Sequence, residues 1–166
     1  MTVKEGNLEG KDCRIGLVVS KFNEFVTSRL TSAAVDTLKT QGVEEDHIET
    51  VRVPGAFEIP LVARYLARSK QYDAVICLGA VIRGQTPHFD YISAEMSRGI
   101  AQASWETGIP IIFGVLTTNT AEQALERSGE SEKNRGVDAA RTAIEMITLM
   151  RSLQNSERKS TGFLQP

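Results

Sequence analysis

The chain has 166 residues, of which 41% are hydrophobic, and its 19 basic and 21 acidic side chains leave a formal net charge of −2. This length suits a single domain that buries roughly 70% of the surface exposed by its unfolded chain. The balanced charge argues against nucleic acid as a partner. No run approaches the ~20 apolar residues of a membrane span, which argues against a membrane partner as well.

Short apolar runs alternate with helical patterns along the chain. Four runs have the length and β-branched content of strands that are mostly buried on both faces. They are Cys13–Val19, Ile48–Val53, Ala74–Ile82 and Ile111–Thr117. The helical patterns that follow them run from about Phe25 to Thr40, Glu58 to Arg68, Tyr91 to Thr107, and in two pieces, Ala121–Arg127 and Val137–Leu153. This alternation predicts a three-layer α/β/α sandwich around a four-stranded parallel sheet.

The ends of the chain differ in character from the predicted domain, which covers residues 13–154. Segment 1–12 has no apolar stretch of signal-peptide length, and tail 155–166 lacks periodicity, so we expect the tail to be irregular.

Cys13 and Cys77 lie in apolar runs, where a thiol most often serves as a small buried group. These features predict a soluble cytoplasmic protein with reduced thiols. The scattered cysteines and histidines predict no metal site.

Ligands of such sheets bind beyond the carboxyl ends of the strands, so the loops there are the candidates. After the first strand, Phe22 is either a locally packed aromatic or a stacking platform for a flat heterocycle. After the second, Pro54 and Gly55 predict a tight turn that lets backbone amides approach a ligand. Glu58, at the start of a helix, either caps that helix or accepts hydrogen bonds from ligand hydroxyls.

The third strand is followed by "RGQTPH", Arg83 to His88. Gly84, Gln85 and Thr86 can present N–H groups and a hydroxyl to a phosphate, although the segment matches neither a Walker loop nor a dinucleotide fingerprint. His88 either transfers protons near neutral pH or only caps and packs.

Three other features are predicted to have structural roles. His47 is expected to be a solvated surface residue in an acidic turn. Trp105 is expected to pack the third helix against the sheet or a neighbouring chain. The charged "SGESEKNR" loop, which begins at Ser128, is expected to be solvated.

Six segments in order resemble the 6,7-dimethyl-8-ribityllumazine synthase family, between about Gly6 and Leu153. They are "FNEF", "VPGAFEIP", "LGAVIRGQTPHFDY", "IPIIFGVLTT", "EQALERSG" and "NRGVDAARTAIEM". The resemblance implies a flavodoxin-like strand order and a transferase of riboflavin biosynthesis that needs no metal or redox cofactor. Such enzymes condense 5-amino-6-(D-ribitylamino)uracil with 3,4-dihydroxy-2-butanone 4-phosphate and release phosphate and water.

The resemblance also implies a role for each matching residue. Phe22 would stack on the pyrimidine ring, and His88 would transfer the proton. Other contacts to the ring and the ribityl chain would come from Asn23, Ala56, Phe57, Glu58, Ala80, Val81 and Ile82. Gln85 and Thr86 would bind the phosphate. Phe113 and Arg127 would reach in from an adjacent subunit, Arg127 to the phosphate, and Arg135 would contribute to the site where some relatives carry Lys.

Family members are pentamers with sites between subunits, and some assemble twelve pentamers into a 60-subunit shell. The short "SGESEKNRG" break and an N-terminal segment able to add a strand to a neighbour's sheet resemble the shell-forming members. Two other interpretations keep the fold. One is a flavin- or lumazine-binding storage shell, and the other is a nucleotide-binding domain, which the missing glycine-rich fingerprint disfavours.

Overall fold

The computed structural model describes residues 1–130 and 133–161. Over these residues the chain forms strands β1 (Ile15–Ser20), β2 (Ile48–Val53), β3 (Ala74–Ile82) and β4 (Ile111–Thr118). The helices are α1 (Glu24–Thr40), α2 (Ile59–Arg68), α3 (His88–Thr107), α4 (Ala121–Glu126) and α5 (Arg135–Thr161). Short 3₁₀ turns cover Glu45–His47 and Ala56–Glu58.

The strands form one parallel sheet, as the alternation of elements predicts, and their order β2-β1-β3-β4 is the flavodoxin-like order that the resemblance implies. Ser20 pairs with Val53 at the carboxyl ends of β1 and β2, and Ile82 pairs with Thr118 at the ends of β3 and β4. Because parallel strands end at the same edge, this register gathers the loops that follow them on one side of the sheet.

Each face of the sheet carries a separate hydrophobic core. Leu17 points into the core shared with α1 and α5, where it joins Leu30 and Ile144. Its neighbour Val18 points into the core shared with α2 and α3, which includes Met96. Alternation of side chains along a strand produces this division, and the predicted three-layer architecture is confirmed.

Burial along the strands differs from the prediction at β2. Every residue of β1 is buried, but Glu49, Thr50 and Arg52 of β2 are exposed. The reason is position, since β2 lies at an edge of the sheet. Cys13 and Cys77 are buried free thiols, as predicted, and burial raises the pKa of both.

Helix α5 is longer than its apolar periodicity predicts. The pattern ends at Leu153 and an irregular tail is expected over 155–166, yet the helix continues to Thr161. A helix can continue where the sequence has no apolar periodicity, because its backbone hydrogen bonds are local. Residues 162–166 lie outside the described part of the chain.

The N-terminal segment, residues 1–12, lies against α5. The backbone N–H of Asn7 donates to Thr148 Oγ1 at 2.8 Å, and Thr148 Oγ1 donates back to Asn7 O at 3.1 Å. A Cβ added to Gly6 would lie 2.0 Å from the Glu145 carbonyl oxygen, so only glycine fits this approach. The addition of this segment to a neighbour's sheet stays a prediction.

Two of the structural predictions need correction. The side chain of His47 is only 15% exposed, and its Nε2 lies 3.1 Å from Arg14 Nη2, so it is not a solvated surface residue. The "SGESEKNR" loop is not fully solvated, because Ser128 and Asn134 are buried. Asn134 donates to the carbonyls of Ser128 and Gly129 and accepts from the N–H of Gly136, which orders both ends of the loop.

Trp105 is 82% exposed and therefore does not pack α3 against its own sheet. Its packing against a neighbouring chain stays a prediction. No helix within residues 1–130 and 133–161 has the length and apolar character needed to cross a membrane.

Candidate active site

A cleft of about 520 Å³ opens at the carboxyl ends of β1 and β3. Its lining contains most of the residues singled out in the sequence: Phe22, Asn23, Ala56, Phe57, Glu58, Ala80, Val81, Ile82, Thr86 and His88. Gln85 is exposed and lies outside the lining, whereas its neighbour Gly84 contributes to it. The structure therefore brings together residues from three separate loops.

The loop after β1 is held to its neighbours by backbone and side-chain hydrogen bonds. Lys21 and Phe22 donate their N–H groups to the carbonyls of Val53 and Pro54 at 2.8 and 3.1 Å. Asn23 adopts a left-handed conformation with φ 58°, which asparagine tolerates better than most residues. Its Nδ2 donates to Ala80 O at 2.8 Å. These contacts hold the loop while leaving Phe22 70% exposed.

The loop after β2 presents a carboxylate that does not cap its helix. Glu58 closes the 3₁₀ turn and directly precedes α2, but its side chain makes no capping hydrogen bond. A Cβ at Gly55 would lie 3.1 Å from Glu58 Oε2, so the glycine leaves room for the carboxylate beside the turn. The Glu58 carboxylate is thus available to a molecule in the cleft.

The loop after β3 leads directly into α3, which begins at His88, three residues earlier than the apolar pattern predicts. The helix starts early because Asp90 and Tyr91 both direct their N–H groups at Pro87 O. His88 therefore sits in the first helical turn, where free N–H groups and the helix dipole favour an anion.

Two residues of this lining, Phe89 and Ile92, were not identified from the sequence as site residues. Ile92 lies four residues after His88, so the two share a face of α3. That spacing is the signal that could have identified Ile92.

A second cleft of about 590 Å³ lies along β4 and α5 and contains three more of the candidates. Phe113, Arg127 and Arg135 line it, and Phe113 is 46% exposed on the edge strand. Arg127 Nη1 donates to Gln123 O at 3.1 Å, and Arg135 Nη1 lies 2.8 Å from Asp138 Oδ2. The two clefts share no lining residue, so a single chain does not bring Arg127 and His88 into one cleft.

The two clefts offer complementary chemistry. The first combines an exposed aromatic face, an uncapped carboxylate and an imidazole at a helix N-terminus, which suits a flat polar heterocycle and a proton transfer. The second offers guanidinium groups, which recognise phosphate through paired hydrogen bonds.

Comparisons with known proteins identify one family. The model of the 6,7-dimethyl-8-ribityllumazine synthase family matches residues 12–151. A 6,7-dimethyl-8-ribityllumazine synthase from Syntrophus aciditrophicus (strain SB) is 59% identical over 152 residues, which cover 92% of this chain and 99% of that protein. Among solved structures, a GDP-L-fucose synthetase from Naegleria fowleri has 13% identity and a TM-score of 0.43, covering 98% of this chain and 50% of that one. This last likeness is too low to carry an argument.

Proposed function

Because this chain belongs to the 6,7-dimethyl-8-ribityllumazine synthase family, we propose that the cleft beyond β1 and β3 is its active site. The chain is a transferase of riboflavin biosynthesis. It condenses 5-amino-6-(D-ribitylamino)uracil with 3,4-dihydroxy-2-butanone 4-phosphate, and phosphate and water are released. The observation that carries the site assignment is the convergence of Phe22, Glu58 and His88 on one cleft.

The pyrimidine substrate binds against Phe22. An exposed phenyl face gains about 0.5–1.5 kcal/mol from an offset stack with a flat ring, beyond the area buried. The Glu58 carboxylate accepts hydrogen bonds from ribityl hydroxyls, while Ala56, Phe57 and the backbone of Ala80, Val81 and Ile82 hold the ring edge. Asn23 supports this arrangement through its bond to Ala80 O.

His88 moves the proton. The substrate amine attacks the ketone to give a carbinolamine, whose hydroxyl must gain a proton before it leaves as water. An imidazolium can supply that proton, and the imidazole that remains can accept another. Gly84 and Thr86 offer an N–H and a hydroxyl to the phosphate, and the exposed Gln85 contributes through its backbone rather than its side chain.

A neighbouring copy completes the site with Phe113, Arg127 and Arg135. Support comes from the separate cleft that these residues line. Within a single chain, the Arg127 guanidinium does not line the cleft in which the substrates are proposed to bind. A charge-assisted fork between a guanidinium and the phosphate is worth roughly 1.5–3 kcal/mol.

We also propose that the chain forms a homopentamer and that twelve pentamers assemble into a 60-subunit shell. Leu61, Tyr65 and Trp105 are exposed on α2 and α3, and exposed apolar side chains of this kind mark protein interfaces. Analytical ultracentrifugation separates the two states by mass.

A cytoplasmic location is part of the same proposal, because the free thiols Cys13 and Cys77 fit a reducing compartment.

The test of the active site is turnover with defined substrates. The purified protein is mixed with both substrates, and product fluorescence and free phosphate are followed together. We expect the two to appear in equal amounts, and Phe22→Ala to weaken binding of the pyrimidine. Tight binding of the pyrimidine without release of phosphate would contradict the proposal and would favour a storage protein.

A further inference from the structure

Arg83, the first residue after β3, uses its guanidinium to join three parts of the protein. Nη2 and Nη1 donate to the two carboxylate oxygens of Asp90 at 2.9 and 3.2 Å. Nε donates to Asn119 Oδ1 at 3.2 Å, and the guanidinium carbon lies 4.2 Å from the centre of the Phe89 ring. The Arg83 backbone N–H donates to Thr118 O at 2.9 Å.

The groups held by Arg83 flank His88. Phe89 directly follows the histidine and lines the cleft, and Asp90 lies two residues beyond it in the first turn of α3. A fork to Asp90 and a cation–π contact on Phe89 restrain that turn from two directions. Because Nε is anchored to Asn119 after β4, the turn is fixed relative to the end of the sheet and not only to its own loop.

A direct role in substrate binding fits Arg83 less well. Arg83 is not among the residues that line the cleft. All three of its side-chain nitrogens donate to protein acceptors, so a phosphate would have to compete with Asp90 for the fork. The pair is also half-exposed, and such pairs add little to folding stability. The contacts of Arg83 are better explained by a role in positioning the neighbouring residue His88.

We propose that Arg83 is a positioning residue for the reaction, which holds the His88 imidazole at the proton-transfer position through the first turn of α3. This inference rests on the proposed role of His88. Small displacements of a reacting group cost rate rather than substrate affinity, and a shift of about 1 Å can cost about 10²-fold. Loss of Arg83 therefore affects kcat more than KM.

The test compares Arg83→Met, Arg83→Lys and Asp90→Asn with Arg98→Met in the assembled enzyme. Arg98 is the matched control because it also lies near α3 carboxylates, pairing with Glu95 on the exposed face of the helix. We expect Arg83→Met to lower kcat by about 10²-fold with little change in either KM. Arg83→Lys should lose part of the rate, because an ammonium cannot form the planar fork. Arg98→Met should keep the kcat of the wild type.

Stability and coupling measurements separate positioning from general damage. Loss of an exposed pair should lower the midpoint of thermal unfolding by no more than about 4 °C. The double variant Arg83→Met/Asp90→Asn should have the kcat of Arg83→Met alone, because both changes break the same contact. Where Arg83→Met does not fold, Arg83→Lys and Asp90→Asn carry the test.

Three results would overturn the inference. They are a wild-type kcat in the folded Arg83 variants, a loss confined to a higher KM for the phosphate substrate, and fully multiplicative losses in the double variant. His88→Ala is measured in parallel to separate this inference from the proposed function. Wild-type turnover by His88→Ala would remove the role of His88, whereas a slow His88→Ala beside fully active Arg83 variants would remove only the role of Arg83.

Discussion

The side chains of the main cleft are placed largely by the backbone around them. Phe22 is exposed, yet its own N–H is bonded to Pro54 O, and its neighbour Asn23 is bonded to Ala80 O. The loop after β1 is thus tied to the loop after β2 and to strand β3. Changes to exposed side chains in this cleft should consequently affect binding and catalysis with little effect on folding.

His88→Ala should lower kcat by about 10²–10⁴-fold, the usual contribution of a general acid–base group. The measurement is the initial rate of product fluorescence at saturating concentrations of both substrates. His47→Ala is the matched control, since His47 is the other of the two histidines and contacts Arg14 rather than the cleft. Similar rates for His88→Ala and the wild type would exclude proton transfer by His88.

Glu58→Gln should weaken binding of the ribityl substrate while leaving the free energy of unfolding nearly unchanged. The reason is that the Glu58 carboxylate makes no capping bond to α2. Thr120→Ala provides the contrast, because Thr120 Oγ1 accepts a bond from Gln123 N at 3.2 Å and caps α4. Loss of such a cap costs about 0.5–2 kcal/mol. A loss of stability in Glu58→Gln as large as that in Thr120→Ala would indicate a capping role after all.

For individual residues, the sequence predicts which side chains lie in the cleft better than it predicts the contacts that support them. Phe22, Glu58 and His88 stand out because each follows a strand and carries unusual chemistry for its position. The contact between Arg83 and Asn119 spans 36 residues and exists only because β3 and β4 are paired. Local patterns carry no information about such a contact.

Helix α1 and the start of α5 approach each other closely at Gly136. A Cβ on Gly136 would lie 2.1 Å from the carbonyl oxygen of Leu30, so the two helices meet at a point where only glycine fits. Asn134 holds the backbone at this point, because its Oδ1 accepts a hydrogen bond from the Gly136 N–H at 2.8 Å. The order of the loop before α5 and the packing of the helices therefore depend on each other.

Gly136→Ala should lower the free energy of unfolding by about 1–3 kcal/mol, as expected for an overpacked contact against rigid backbone. Gly129→Ala is the matched control, because Gly129 lies in the loop before α5, where the nearest atom would be 3.5 Å from the new Cβ. Both are compared by denaturant unfolding at equal protein concentration, since assembly makes apparent stability concentration-dependent. Equal stability of the two variants would show that the helices can separate without cost.

The elements with strong apolar patterns were predicted well, and the others less so. β3 has the predicted bounds because its side chains face both cores. The apolar pattern of β2 did not predict its exposure, because the position of a strand in the sheet depends on how strands pair and not on the residues of that strand. The end of α5 was missed for a different reason, since residues 155–161 have no apolar periodicity in the sequence that would predict a helix.

For the whole molecule, the decisive feature is the division of the candidate residues between two clefts. The sequence alone does not predict this division, in which the main cleft lies at the ends of β1 and β3 and the second lies along the edge strand β4. The resemblance to a known family implied it instead. The pentamer and the shell stay predictions.

Mixing two inactive variants tests whether a site is shared between copies. Chains with His88→Ala and chains with Arg127→Ala are unfolded together and reassembled. Random mixing should restore about one site in four, because each intact site takes His88 from one chain and Arg127 from its neighbour. Each variant reassembled alone is the control, and a mixture no more active than the controls would place both residues in a site within one chain.

The separation of the two clefts has a geometric consequence for any finite array of copies. Suppose that each copy pairs its main cleft with the second cleft of the next copy. In an open row of copies, one half-site at each end then has no partner. Only a ring, in which the last copy meets the first, leaves no half without a counterpart. Selection for full activity would then favour cyclic symmetry directly, whether or not the assembly serves as a container.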